Sequence, residues 1–270
     1  DAMAAPPPPR IGVLALQGSF QEHITCLRAV GVDAVEIRKA ADLDAARGLI
    51  IPGGESTTMA NIAERWGLIE PLREFAESGR PIWGTCAGLI FLAKRSLGMK
   101  EGGQVLIGGL DVTVSRNFFG SQINSFEAMM EAPAALGTDV EGDASKFRAL
   151  FIRAPAILDC GPGVEVLSDM DVDPEILKGM LNVPPHALEH SKVVVAVKQG
   201  SLMATSFHPE LTDDTRWHRY FKDMVLAGPP AKTEAAPSAD GLVKPATVPL
   251  ELPIYHGHMN QGAVLSTKKW

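Results

Sequence analysis

Cysteine is scarce in this chain: Cys26, Cys86 and Cys160 are the only three among 270 residues. An odd, sparse set does not make a disulfide framework, and it points to a reducing setting where free thiols are available for chemistry. Basic charge is also in short supply, with 25 lysines and arginines against 32 aspartates and glutamates, a net −7 at pH 7. Nucleic-acid and membrane-surface binders concentrate positive charge, so both roles are set aside. No run of about 18 apolar residues occurs, so no membrane-spanning helix is expected. The beginning has no charged segment leading into an apolar one, so no secretory signal is read there and a cytoplasmic location is expected. No internal repeat is present.

What remains is ordinary: 46% hydrophobic and 21% charged residues, the balance of a soluble globular protein with room for a substantial core. Proline is distributed unevenly. Pro6 to Pro9 stand in a row, which neither a helix nor a central strand accepts, so residues 1–10 read as a flexible proline-rich arm. Six prolines fall between Pro229 and Pro253 with little periodicity, so residues 229–270 read as a poorly structured tail. The folded domain is expected over 11–228, with Pro174, Pro184 and Pro185 marking 169–192 as a loop insertion.

Within that span apolar runs alternate with helical patterns. Ile11–Leu16 has the composition of a strand covered on both faces. Ser19 and Glu22 have capping-box spacing ahead of a helix that Gly31 closes. Val35–Ile37, Leu49–Ile51 and Ile82–Gly84 read as further strands. Helices are expected from Ser56 to Gly67 and across Pro71–Ser78. This rhythm predicts an α/β fold, a mostly parallel central sheet with helices on both faces. The second half offers Val112–Ser115, Leu150–Ile152 and Val164–Leu167 as short strands. Val193–Val197 and Leu202–Phe207 read as a pair joined by a tight turn. Trp217, Tyr220, Phe221, Met224 and Val225 line one helix face.

One cysteine stands apart. Gly84-Thr85-Cys86-Ala87-Gly88 follows an apolar strand and precedes an apolar stretch, the cysteine version of a nucleophile elbow. The sharp turn demands small neighbours, presents the thiol exposed at the bend and sets it at a helix N-terminus that favours thiolate. Cys26, in the first helix, reads as packing, and Cys160 as a loop residue with no base nearby. A cysteine nucleophile needs a base, and the base needs an orienting group. Among seven histidines, His208 in Ser206-Phe207-His208-Pro209-Glu210 ends a strand-like run, and Glu210, two residues on, shares its face. His186 and His190 have the i, i+4 spacing of a metal pair but no third ligand; they read as solvated loop residues, and no metal site is expected. His256 and His258 lie in the tail. His23, beside Glu22, reads as a helix-surface residue, and His218 lies beside the apolar face of the last helix.

With these residues in view the chain resembles the class I glutamine amidotransferases, and more narrowly the glutaminase subunits of pyridoxal 5′-phosphate synthase. The resemblance runs from about Ile11 to Val225. It rests on Leu14–Gly18, on Pro52-Gly53-Gly54-Glu55-Ser56-Thr57-Thr58-Met59 and on Gly84–Leu89, together with Phe151-Ile152-Arg153-Ala154-Pro155 and Ser206–Thr212. It implies a flavodoxin-like sheet with an antiparallel extension, no cofactor, and hydrolysis of L-glutamine to glutamate and ammonia. It implies Cys86 as nucleophile, His208 as base and acid, and Glu210 as orienter. The backbone N–H groups of Gly54 and Ala87 would form the oxyanion hole. Gly54, Glu55, Ser56, Arg116, Ile152 and Arg153 would bind substrate, and Gln17 would sit near a partner interface. That partner would be a (β/α)₈-barrel synthase receiving the ammonia. The 169–192 stretch and both ends depart from the compact bacterial form of the family. From the residues alone, Pro52-Gly53-Gly54 is also an ordinary turn, and Arg116 and Arg153 are also ordinary surface charges. A cysteine hydrolase with another substrate, and a scaffold that only binds and regulates a synthase, stay open as readings.

Overall fold

The computed structural model describes residues 8–98, 103–116, 118–119, 125–172 and 192–228. Most of the arm, the interior of the expected insertion (173–191) and the tail (229–270) lie outside the described residues. Strands β1 (Arg10–Leu14), β2 (Asp33–Ile37), β3 (Gly48–Ile51) and β4 (Ile82–Thr85) interleave with helices α1 (Phe20–Ala29), α2 (Ser56–Arg65), α3 (Ile69–Glu77) and α4 (Ala87–Leu92). Then come β5 (Ala93–Leu97), β6 (Leu110–Ser115), β7 (Ser125–Glu131), β8 (Lys146–Ile152), β9 (Ala156–Cys160), β10 (Glu165–Asp171), β11 (Lys192–Gln199) and β12 (Leu202–Thr205). Helix α5 (Arg216–Ala227) follows.

The main sheet runs β2-β1-β3-β4-β12-β11-β9-β6-β5, with β10 also paired to β11. Its first five strands are mutually parallel. Strand β11 is antiparallel to β12, β9 and β10, and β9 is antiparallel to β6. The expected parallel sheet with an antiparallel extension is therefore present. Parallel strands carry apolar side chains on both faces because helices cover both. Here Leu49, Ile51, Ile82, Leu202 and Ala204 join the core under α2, α3 and α4. Their alternates Ile50, Trp83 and Met203 join the core under α1 and α5. The predicted stripe on the last helix packs there, with Trp217, Phe221 and Val225 buried.

Three strands were not read from the sequence: β5, β7 and β9. Strand β5 (AKRSL) is too polar to mark itself, and helix α4 ends early to make room for it. Cys160 ends β9 opposite Val112 rather than lying in a loop. Strands β7 and β8 form a separate hairpin. It is fixed by aromatic contact: Phe126 stacks on Phe151 at 4.7 Å, and Phe147 and Phe151 meet Phe207 at the end of β12.

The sheet puts the motifs together. Gln17 follows β1, Gly53 to Ser56 follow β3, Cys86 follows β4 and His208 follows β12. All four lie beyond the carboxyl ends of adjacent parallel strands, the usual place for a site in an open α/β sheet. The register pairs Thr205 with Thr85, so Cys86 and Ser206 leave the sheet side by side.

Candidate active site

Cys86 sits in the turn between β4 and α4 with φ 47° and ψ −99°, a backbone region a non-glycine residue occupies only when its surroundings hold it there. Its N–H donates to the Thr205 carbonyl at 2.8 Å, and the Ile90 N–H closes the first helical turn on its carbonyl. The flanking glycines are steric necessities. A Cβ on Gly88 would lie 2.0 Å from the Ile51 carbonyl oxygen, and one on Gly84 would lie 2.5 Å from the Gly88 backbone. The thiol is not exposed at the bend as expected: only 5% of the residue reaches solvent. The end of the β7–β8 hairpin folds over it, leaving Sγ 3.9 Å from the Ile152 carbonyl.

His208 is buried between two strands' ends. Its N–H donates to the Leu150 carbonyl at 2.9 Å, and its ring rests on Gly53, where a Cβ would come within 2.2 Å of Cε1. The glycine there serves the imidazole by being small; positive φ occurs at Gly54 instead. His208 Nδ1 and Glu210 Oε1 are 2.7 Å apart. Burial opposes a charged imidazole, but the Cys86 sulfur and the Glu210 carboxylate, by charge and hydrogen bonding, outweigh it and raise His208 well above its ordinary pKa. Glu210 is buried in turn. Burial pushes its carboxyl up, yet the imidazoles of His23 and His208, with hydrogen bonds from His208 and Ser19, bring it down to about 2.

Behind this row lies a layer that sequence reading missed. Ser19 does not cap α1; its hydroxyl donates to Glu210 Oε1 at 2.6 Å instead. His23 is fully buried rather than on the helix surface, 3.4 Å from Glu210 Oε2 and 3.1 Å from Thr85 Oγ1. His218 is also fully buried, its Nε2 3.0 Å from His23 Nδ1. A signal for His23 was available: with Phe20, Ile24 and Leu27 it falls on the inward stripe of α1. Burial and nearby carboxylates raise the Cys26 thiol to about 11, and burial raises Cys160 to about 11, so neither favours thiolate.

A second group gathers at the start of α2. The Gln17 amide brackets the Glu55 backbone, accepting from its N–H at 3.1 Å and donating to its carbonyl at 3.3 Å, and it packs on Gly54. The Glu55 carboxylate caps α2, accepting from the N–H groups of Thr57 and Thr58 at 3.1 and 2.7 Å. Burial works against it, but these bonds and the Thr58 hydroxyl hold its pKa below the ordinary value. Arg116 reaches Glu55 Oε1 at 3.3 Å and Thr57 Oγ1 at 3.2 Å. The Ser56 hydroxyl donates to Gln104 Oε1 at 3.2 Å, and Gln104 is a residue the sequence gave no reason to single out. Ala87 opens α4. Ile152 closes over Cys86, while Arg153 is exposed with φ 48°, the second non-glycine residue with positive φ among the described residues. The structure thus brings Gln17 and Arg116 onto the Gly54–Glu55–Ser56 turn, which follows the Gly53 on which the His208 ring rests, and Ile152 beside Cys86. Among the described residues no cluster of three or more His, Cys, Asp or Glu side chains could hold a metal, and no helix is long and apolar enough to cross a membrane. His186, His190, His256 and His258 lie outside the described residues.

Residues 13–227 match the SNO glutamine amidotransferase family. The chain is 60% identical over 219 residues to the probable pyridoxal 5′-phosphate synthase subunit PDX2 of Arabidopsis thaliana, an overlap of 80% of this chain and 85% of that one. It is 46% identical over 216 residues to the pyridoxal 5′-phosphate synthase subunit PdxT of Dehalococcoides mccartyi, covering 80% of this chain and 97% of that one. A crystal structure of a glutamine amidotransferase shares 40% identity and superposes with a TM-score of 0.63 over 80% of this chain and 98% of that one. With residues 13–227 matched by the family and some four-fifths of its length shared with these relatives, the chain belongs to the SNO glutamine amidotransferase family and is a class I glutaminase.

Proposed function

We propose that the chain hydrolyses L-glutamine through Cys86, His208 and Glu210 and passes the ammonia to a synthase that makes pyridoxal 5′-phosphate. The observation that carries the chemistry is a buried imidazole 2.7 Å from a buried carboxylate, its pKa raised by that carboxylate and by the sulfur of the strained-turn Cys86. His208 takes the thiol proton, and Glu210 supports the resulting imidazolium. The Cys86 thiolate attacks the side-chain carboxamide carbon of glutamine. The carbonyl oxygen becomes an oxyanion, received by the backbone N–H groups of Gly54 and Ala87. His208 returns the proton to nitrogen, the C–N bond breaks, and ammonia leaves a glutamyl thioester on Cys86. Water, deprotonated by His208, cleaves that thioester to glutamate and restores the thiol.

Gly54, Glu55, Ser56, Arg116, Ile152 and Arg153 form the substrate side of the proposal. Arg116 is already tied to Glu55 and Thr57, so it is held in place to receive a carboxylate by a forked pair of hydrogen bonds. Gln17 organises the Gly54–Glu55 backbone and faces the partner, for which we propose a (β/α)₈-barrel synthase subunit. Support for the partner is the pair of relatives, at 60% and 46% identity, each a pyridoxal 5′-phosphate synthase subunit by name. The residues 11–228 are proposed as the glutaminase domain.

A glutaminase assay on wild type and Cys86→Ala, with and without a barrel synthase subunit, tests this. Wild type releases glutamate and ammonia, and Cys86→Ala falls to background in both settings. Equal ammonia yield from the two proteins would instead make the chain a scaffold.

A further inference from the structure

The fully buried His23 and His218 lie outside the proposed reaction steps, yet His23 touches the Glu210 carboxylate and His218 touches His23. Glu210 accepts from Ser19 and His208 at one oxygen only, Oε1. Oε2 is buried and has no hydrogen bond of ordinary length among the described residues; its polar contact is His23 Nε2 at 3.4 Å. A carboxylate pinned at one oxygen can pivot about it, and the second contact limits that pivot. His23 reaches this position from α1, Thr85 from β4 and His218 from α5, and all three are 0% exposed.

The 3.0 Å separation of His23 Nδ1 and His218 Nε2 admits one proton between them, so neutral imidazoles have two arrangements. In the first, His218 donates, and His23 carries its proton on Nε2, facing Thr85 Oγ1 and Glu210 Oε2. In the second, His23 donates to His218. A bare lone pair then faces the carboxylate, and the proton forced onto His218 Nδ1 becomes a buried orphan donor, because that atom has no partner among the described residues. Orphan donors are rarer in folded proteins than orphan acceptors, and like-sign facing is unfavourable. Burial lowers the pKa of both imidazoles, His218 most strongly, which keeps the pair neutral at neutral pH.

We propose that His23, held by His218 as the Nε2–H tautomer, is a positioning residue that fixes the Glu210 carboxylate so that Oε1 stays on His208. This rests on the Cys86–His208–Glu210 reading above. The titratable groups facing His23 are Glu210 from the turn after β12, His208 beside it, and His218 from α5. Glu22 adds its charge from the same helix. Facing Glu210 are those imidazoles, with the Cys26 sulfur 3.8 Å from its carbonyl.

The test uses the full chain in glutaminase turnover. His23→Met keeps bulk and removes the donor; His23→Gln restores an N–H near the place of Nε2. His23→Met is expected to lower kcat about tenfold, the lower part of what supporting partners of a functional group contribute. KM stays within about twofold, since no substrate contact is lost. The acid limb of the kcat/KM profile moves to higher pH, because the carboxylate loses support against protonation, and His23→Gln moves it back. ¹⁵N spectra of wild type show His23 protonated at Nε2. The proposal is overturned by an unmoved acid limb in His23→Met, by a His23→Gln variant no better than His23→Met, or by a His23 signal showing the Nδ1–H form. Should His23→Met not fold, the wild-type tautomer decides. Glu210→Gln separates the two readings: full activity in that variant sinks the triad assignment itself, whereas the tautomer result stands apart from it.

Discussion

Glu210 holds a charge with no exposure to water, and this has a consequence for stability. Its carboxyl lies at about 2 in the fold against an ordinary 4.5. A depressed carboxyl stabilises the fold above the ordinary value and loses that contribution as pH falls toward 2, an interval worth on the order of 3 kcal/mol. Urea unfolding of wild type and Glu210→Gln is therefore expected to show a wild-type advantage at pH 6 that shrinks steadily below about pH 4.5. A constant difference down to pH 2 would contradict it. The raised His208 works in the opposite direction: its share is present below 6.5 and fades as pH rises through its higher folded value. The Cys86 turn and the His208–Glu210 contact were legible in sequence because each lies in a compact pattern, a Gly-x-Cys-x-Gly turn and a His-x-Glu pair. The contacts of Ser19, His23 and His218 were not, because their partners lie 62 to 195 residues away and only the folded sheet joins them. Burial of the Cys86 thiol was invisible for the same reason, since the cover comes from the β7–β8 hairpin.

At the scale of elements, the elbow depends on β3 and α4 approaching without a side chain between them. Gly88→Ala sets a methyl 2.0 Å from the Ile51 carbonyl, and backbone on both sides leaves nothing flexible to yield. The variant is expected to lose about 3 kcal/mol in chemical denaturation, the upper part of the usual overpacking cost, and to lose turnover with it. Phe151→Ala removes the ring that stacks on Phe126 and meets Phe207. It is expected to cost about 3–5 kcal/mol and to open the thiol to alkylating reagents, measured by the labelling rate of Cys86 in the folded protein. An unchanged labelling rate would mean the hairpin does not cover the site. The parallel half of the fold was legible because strands buried on both faces read as continuous apolar runs between capped helices. Strands β5, β7 and β9 escaped, because partly polar strands are set by cross-strand partners that no local pattern reveals. The Ser19–Glu22 capping box was misleading, since the serine hydroxyl is drawn to a buried carboxylate that outcompetes a backbone N–H.

Across the whole molecule, two apolar layers grip one sheet, and the ends of β1, β3, β4 and β12 meet at a single edge. That arrangement joins a motif near residue 17 to one near residue 210 and leaves the rest of the chain to hold them still. Relatives that share four-fifths of the chain are subunits of a larger synthase, so turnover belongs to an assembly in the proposed reading. The most direct test is a rapid acid quench of the chain turning over L-glutamine beside a barrel synthase subunit, followed by peptide mass spectrometry. A glutamyl adduct on the peptide carrying Cys86, absent from Cys86→Ala, is the expected result. An adduct on Cys26 or Cys160, or glutamine turnover by Cys86→Ala, would contradict the account.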